Sequence, residues 1–263
     1  MYALITGSSK GIGKDMAFEL AQKGFNLLLI ARNFDELQAS KTEIQQKYKV
    51  EIDVLAIDLS DLTAPKKVLA WVESKNYQVS VLINNAGYGL WGMFEKLTFE
   101  QQQNMMILNM NTLVELTYLF LPILKKQSKS YILNVASTAA YQSVPGLGVY
   151  AATKAFVVSF SRALTFELKK TNVSVTCLSP GTTTTNFTNR AGIKASETLQ
   201  ATADKFTMPS DVVAKFGIDK MFAKKTEVIP GLTNIVTVWA TYFLPKSIIE
   251  SIAANLYIKN LKN

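Results

Sequence analysis

Short, uninterrupted apolar runs recur along this chain, and they constrain its fold more than any other feature. Ala3–Ile5, Leu27–Ile30, Val54–Ile57, Val81–Ile83, Tyr131–Val135 and Val173–Leu178 are six of them, and Glu227–Ile229, before Pro230-Gly231, is a short seventh. A strand with one wet face alternates apolar and polar residues, so a continuous run means that both faces are covered. Between the runs lie amphipathic stretches of helix length, such as Lys14 to Lys23 and Phe34 to Lys47, and Gly24 stands where the first should stop. This alternation predicts an α/β fold: a doubly wound, mainly parallel seven-stranded sheet with helices on both faces. No linker, low-complexity tract or internal repeat divides the 263 residues, so one domain spanning 1–263 is expected.

Two segments fall outside the rhythm. Residues 182–209 are rich in Thr, Ala and Asn and follow the sixth run, where ligands bind in such sheets, so a substrate lid is expected there. Residues 232–263 form a C-terminal extension. The apolar run Ile235–Leu244 precedes Pro245, and Ile248, Ile249, Ile252 and Leu256 then recur on one helix face. This extension is expected to form a subunit interface or to pack under the lid, with peripheral membrane contact as the lesser reading.

Composition removes several kinds of chemistry. The chain has no His and one cysteine, Cys177. Disulfide frameworks, Cys/His zinc sites and Ser-His or Cys-His catalysis are excluded, and no metal is expected. General acid–base work falls to Tyr, Lys, Asp or Glu. The net charge of +8 comes from 25 Lys and three Arg (Arg32, Arg162, Arg190). The Lys pairs are scattered and no basic run is interleaved with aromatics, so the charge reads as solvated surface and no nucleic acid is expected. The first residues, Met1 to Thr6, carry no signal-peptide pattern, and Ile235–Leu244 is too short to span a bilayer, so the expected compartment is the cytoplasm.

Thr6-Gly7-Ser8-Ser9-Lys10-Gly11-Ile12-Gly13 follows the first run and opens a helix. Glycines at 7, 11 and 13 let backbone approach a diphosphate, which would sit at the helix N-terminus, as in Rossmann-like domains. The spacing Gly-x-x-x-Gly-x-Gly resembles the short-chain dehydrogenase/reductase family, in its compact single-domain subclass. The resemblance extends from residue 3 to about residue 187. It implies NADP(H), because Ala31 stands where NAD-preferring members carry an acidic residue, while Arg32 and Lys10 offer cations to a 2′-phosphate. It also implies cofactor contacts at Ser9, Ile12, Asp58, Leu59, Asn85, Ala86, Gly87, Pro180, Gly181, Thr183 and Thr185. Asp58 and Leu59 would meet the adenine, Asn84-Asn85-Ala86-Gly87 matches a motif that lines the cofactor and braces the sheet, and Pro180-Gly181 would hold the nicotinamide. Thr183 stands where an apolar residue is commoner in the family.

Tyr150 and Lys154 stand at i and i+4, on one face if the segment is helical. An ammonium there favours the phenolate and lets the Tyr trade a proton near neutrality. Ser137, 13 residues before Tyr150, matches the family's Ser, which would hold the substrate carbonyl oxygen. The resemblance adds a fourth residue, an Asn holding a helix kink and a water that relays protons to the Lys. The register of Leu116-Thr117 and Pro122 selects Asn109, with Asn111 the fallback. Together these imply an NADPH-dependent oxidoreductase interconverting a hydrophobic ketone or aldehyde and an alcohol. The alternative is a catalytically silent NADP(H)-binding regulatory or scaffold protein. Tyr88, Leu90, Trp91, Val144, Leu147 and Phe187 are apolar candidates for the substrate cleft, and Arg190 for an anionic group. Family members are usually dimers or tetramers through helices flanking the fourth and fifth strands, so a homo-oligomer is expected.

Overall fold

The computed structural model describes residues 1–184 and 207–257. Seven strands form one parallel sheet: β1 (Tyr2–Thr6), β2 (Asn26–Ala31), β3 (Ile52–Ala56), β4 (Val79–Asn84), β5 (Ser130–Val135), β6 (Val173–Leu178) and β7 (Glu227–Val228). Their order is β3-β2-β1-β4-β5-β6-β7. The winding therefore reverses between β1 and β4. Loops leave these two strands in opposite directions, which opens a crevice at their carboxyl ends.

The continuous runs are explained by two cores. In β1, Ala3 and Ile5 join one core and Leu4 the other; in β2, Leu27 and Leu29 face the first, Leu28 and Ile30 the second. Helices α1 (Gly11–Gln22), α2 (Phe34–Lys47) and α7 (Ser210–Phe222) close the first core with Leu20, Ile44 and Ile218. Helices α3 (Ala64–Ser74), α5 (Thr112–Lys125) and α6 (Gly148–Glu167) close the second with Val68, Phe120 and Leu164. The third strand sits two residues earlier than the apolar run Val54–Ile57 suggests. Backbone pairing of Leu27 with Ile52 sets that register, and Ile57 lies just past the ladder.

Helix α1 starts three residues before the expected Lys14, within the glycine loop. It ends at Gly24 as expected. Gly24 has φ +81°, its N–H reaches Ala21 O (2.9 Å), and Phe25 N–H reaches Leu20 O (3.1 Å). That pair of bonds is a Schellman closure, which a left-handed residue makes possible. Helix α4 (Phe99–Met106), a π-helical turn (Ile107–Asn111) and α5 run on as one helix, Phe99–Lys125, long and apolar enough to cross a membrane by length and composition. In this fold its buried residues Leu116, Phe120 and Leu124 belong to the sheet's second core. After β7 come α8 (Leu232–Phe243) and α9 (Lys246–Tyr257), broken at Pro245. Val238 and Ala253 are buried, while Leu232, Val236, Trp239, Phe243, Ile248 and Ile252 are exposed.

A buried polar chain crosses the second core. Asn84 donates to Thr117 Oγ1 (3.0 Å) and Asn134 Oδ1 (2.9 Å); Asn134 donates to Ser161 Oγ (2.9 Å), which donates to Val157 O (2.7 Å). It ties β4 and β5 to α5 and α6. Replacing Asn134 with Ala leaves an Asn84 donor and Ser161 oxygen without this partner in a dry site. The expected cost is about 2 kcal/mol, read as a lower urea midpoint at unchanged m-value.

Candidate active site

The site begins at the reversal between β1 and β4. Thr6 Oγ1 accepts from the N–H groups of Asn85 and Ala86 (both 3.0 Å) and donates to Ile83 O (3.2 Å). Asn85 Nδ2 donates to Thr6 O (2.9 Å) and Gly7 O (3.1 Å). The loop after β4 thus fastens the glycine loop after β1. Gly7 (φ +67°) and Gly11 (φ +54°) adopt left-handed backbone. A Cβ on Gly13 would stand 2.3 Å from Gly7 O and 2.4 Å from Asn85 Nδ2. Lys10, at the N-cap of α1, gives no side-chain cap and the first turn has no acidic residue. Its leading N–H groups therefore lack a side-chain acceptor, which suits a diphosphate. The cradle fits a dinucleotide, with Ser9, Gly11 and Ile12 in it.

Three expected cofactor residues have occupations of their own. Asn85 spends its amide on the glycine loop, so it shapes the cradle. Lys10 pairs with Glu36 Oε1 at 2.6 Å, while Arg32 is exposed and enters no ion pair among the described residues. Because the Lys10 side chain is half exposed, that pair is weak and easily exchanged. Asp58 accepts from Ser60 N–H (2.9 Å) and Ser60 Oγ (2.7 Å), which closes the turn after β3. Leu59 is buried, and its carbonyl accepts from Thr112 Oγ1 (2.6 Å).

The residues expected to carry the chemistry come together from the end of β5, α6 and the π-turn. Ser137 caps a 3-10 turn, Thr138–Tyr141, and its Oγ accepts from Ala139 N–H (3.1 Å). Tyr150 and Lys154 lie on successive turns at the start of α6, with Lys154 Nζ 5.9 Å from the Tyr150 ring centroid. Lys154 Nζ donates to Val135 O (2.9 Å), two residues before Ser137. The amine is almost wholly buried, and that burial lowers its pKa to about 8. Asn109 is buried in the π-turn, whereas Asn111 is exposed. Asn109 accepts from Tyr88 N–H (3.1 Å) and donates to Tyr88 O (2.9 Å) and Thr153 Oγ1 (3.0 Å). A Cβ on Gly87 would meet Asn109 Oδ1 at 2.9 Å and Lys154 Nζ at 3.3 Å. Gly87 is therefore the space between them.

The remaining wall comes from β6 and the C-terminal helices. Thr138 N–H donates to Pro180 O (2.9 Å), so the Ser137 turn rests on the Pro180-Gly181 turn. A Cβ on Gly181 would stand 2.4 Å from Asn234 Oδ1, in the first turn of α8. Thr183 Oγ1 donates to Gly181 O (3.0 Å), and Thr182 and Thr184 bond the backbone of Met208 (both 2.9 Å). Those bonds hold Thr182 and Thr184 against Met208. Thr185, Phe187 and Arg190 lie outside the described residues. The other apolar candidates do assemble: Tyr88, Leu90, Trp91, Val144 and Leu147 cluster with Tyr150. Trp91 Nε1 is buried without a hydrogen-bond partner among the described residues. Sequence reasoning missed Thr6 and Thr153. Thr153 had a signal, since it stands three residues after Tyr150, on the same face of the helix.

Fold and site together define a class, the oxidoreductases built on a parallel nucleotide-binding sheet. The family model described as short chain dehydrogenase matches residues 1–195, and the chain belongs to that family. It is 36% identical over 176 residues to a very-long-chain 3-oxoacyl-CoA reductase from Coprinopsis cinerea, covering 66% of this chain and 52% of the relative. The match thus spans about half the length of that protein. It is 30% identical to human 17-beta-hydroxysteroid dehydrogenase type 3, over 92% of this chain and 77% of the relative. Among solved structures, a short-chain dehydrogenase from Sphingobium yanoikuyae in complex with NADPH aligns with TM-score 0.79 and 28% identity, covering 96% and 95% of the two chains.

The buried Lys154 carries a stability cost with a defined pH window. Below pH 8 the amine is charged in both states, and folding bears the full desolvation cost, roughly 3 kcal/mol for a shift from 10.5 to about 8. Between pH 8 and 10.5 the unfolded chain holds the extra proton, so stability rises with pH. Lys154→Met should therefore melt above the wild type at pH 7, and the gap should close towards pH 10. Melting curves of both proteins across that range check this.

Proposed function

We propose that this chain is an NADPH-dependent reductase that interconverts a hydrophobic ketone or aldehyde and the corresponding alcohol. The observation that carries this is the joint placement of Tyr150 and Lys154 on α6, with Lys154 bonded to Val135 at the end of β5, two residues before Ser137. Ser137 Oγ donates to the substrate carbonyl oxygen and polarises it. Tyr150 gives the same oxygen its proton, and the Lys154 ammonium stabilises the phenolate left behind. Lys154 has three N–H donors and spends one on Val135 O, leaving donors for the hydroxyls of a cofactor ribose. Bound NADPH supplies the hydride to the carbonyl carbon. Asn109 fixes the π-turn beside Lys154, where a relay of protons to that amine would run. The cluster around Trp91, Val144 and Leu147 supports an apolar substrate body, and the relatives' names point to carbonyls on hydrophobic carriers.

The choice of NADPH rests on Ala31, which gives no carboxylate to a ribose 2′-hydroxyl, and on the Arg32 guanidinium, which enters no ion pair among the described residues. The cofactor of the Sphingobium neighbour supports it. A panel of ketones and aldehydes run with NADPH and NADH side by side tests the reading. NADPH should be preferred, and Arg32→Ala should erode that preference by about tenfold, the size of one charge-assisted phosphate contact. Tyr150→Phe should lose at least about a hundredfold in kcat with NADPH affinity within a fewfold. No NADPH oxidation across the panel would leave the scaffold reading in its place.

Tyr118 on α5 and Phe156 and Phe166 on α6 are exposed aromatics on the helices flanking β4 and β5. We assign this face to a second copy of the chain. Tyr118→Glu/Phe166→Glu should shift light-scattering mass from dimer or tetramer to monomer; an unchanged mass would move the interface elsewhere, first to α8.

A further inference from the structure

Glu227, at the start of β7, belongs to none of the motifs above. Its side chain is 17% exposed. Its Oε1 accepts from the Tyr141 hydroxyl (2.8 Å) and its Oε2 from Arg162 Nη1 (2.6 Å). The Tyr141 hydroxyl also lies 2.9 Å from Ser179 Oγ. Two segments of the site meet at this carboxylate, and a third reaches it through the Tyr141 hydroxyl. Tyr141 ends the 3-10 turn that Ser137 caps. Ser179, fully buried, precedes Pro180-Gly181. Arg162 lies about two turns beyond Lys154 on the helix that carries Tyr150.

The Ser137 turn needs an anchor of this kind. Thr138–Tyr141 are all partly buried; Ala139 packs against the Trp91 cluster, and polar contacts supply the rest of the turn's hold. Those contacts are the Thr138 N–H bond to Pro180 O and the bonds of the Tyr141 hydroxyl. A carboxylate that has lost most of its water is stable only with its partners in place. Tyr141 and Arg162 are those partners, so the distance between the turn and α6 is fixed by a group that tolerates little slack. Burial also raises the Tyr141 pKa, which keeps its hydroxyl a donor.

We propose that Glu227 is a positioning residue, which through Tyr141 and Arg162 holds the Ser137 turn in register with Tyr150 and Lys154. This rests on the reductase reading of the same site. A shift of about 1 Å in a group that must meet the carbonyl oxygen is enough to cost a hundredfold in rate. The effect falls on kcat, because the glycine cradle is built from other segments.

The test compares wild type, Glu227→Ala, Glu227→Gln and Tyr141→Phe, using NADPH with ethyl 3-oxobutanoate, and measures hydrogen exchange of the NADPH-loaded proteins. Glu227→Ala and Tyr141→Phe should each lower kcat per NADPH-binding site by about tenfold or more, with NADPH Kd within about twofold. Their effects should not add, since they break one contact. Glu227→Gln keeps an oxygen for Tyr141 and should recover much of the loss. Exchange at residues 138–142 should quicken in Glu227→Ala while Gly7–Gly13 stays protected. An unchanged kcat per site with only a lower Tm, or unchanged exchange in the turn, would overturn the proposal. A wild type without turnover of this ester or of any carbonyl in the panel overturns the reductase reading instead, and exchange then still decides whether Glu227 holds the turn.

Discussion

One hydroxyl sits where the fold becomes a binding site. Thr6 Oγ1 takes two backbone N–H groups from the loop after β4 and gives its proton to Ile83. The winding reverses between β1 and β4, so the two loops diverge and have no ladder to hold them. Without a side chain to join them, the crevice would be a gap between mobile loops. Asn85 completes the join from the other side by bonding Thr6 O and Gly7 O. The glycines then become necessary: a Cβ at Gly13 would collide with the Gly7 carbonyl and the Asn85 amide that these bonds put there. Cradle and clamp are one device, and each explains the residue types of the other.

The same economy governs charge. Among the described residues the excess of Lys lies almost entirely in water, where each cation costs little and decides little. Lys154 is the exception. It is buried, its Nζ donates to Val135 O, and desolvation lowers its pKa to about 8. Cys177 is buried close enough to Lys154 to affect it, yet burial raises its own pKa to about 12, so it stays a neutral thiol and adds no competing anion. In the proposed reaction a chain without His leaves the proton traffic to a Tyr and to a Lys whose pKa burial has already lowered.

The fold was legible because two-sided burial leaves an unmistakable mark: every residue of Leu27–Ile30 is apolar, since alternate ones serve opposite cores. The Ser137, Tyr150 and Lys154 spacing was legible because helix periodicity and a strand end place it. The choice between Asn109 and Asn111 rested on a family register alone, and the π-turn that buries one and exposes the other has no spacing signature. Lys10 and Asp58 read as cofactor contacts because sequence shows the charge and not its neighbour; Glu36 and Ser60 are the neighbours. Glu227 was invisible for a different reason. Its partners, Tyr141 and Arg162, lie 86 and 65 residues away, and only the completed sheet brings them to β7.

That distance bears on how such a site is assembled. β7 is two residues long and contributes little to the sheet by itself. Its place is set by pairing with Cys177 and Leu178, and β6 in turn carries Ser179 and the Pro180-Gly181 turn. The last strand to join the sheet is thus the one that closes the polar contacts around the Ser137 turn. Asn234, seven residues further on, then packs against Gly181. The C-terminal part of the chain finishes a site whose reacting side chains all precede it. Changes in α8 and α9 can therefore reach the chemistry through Gly181 and the Ser137 turn, although neither helix supplies a reacting group.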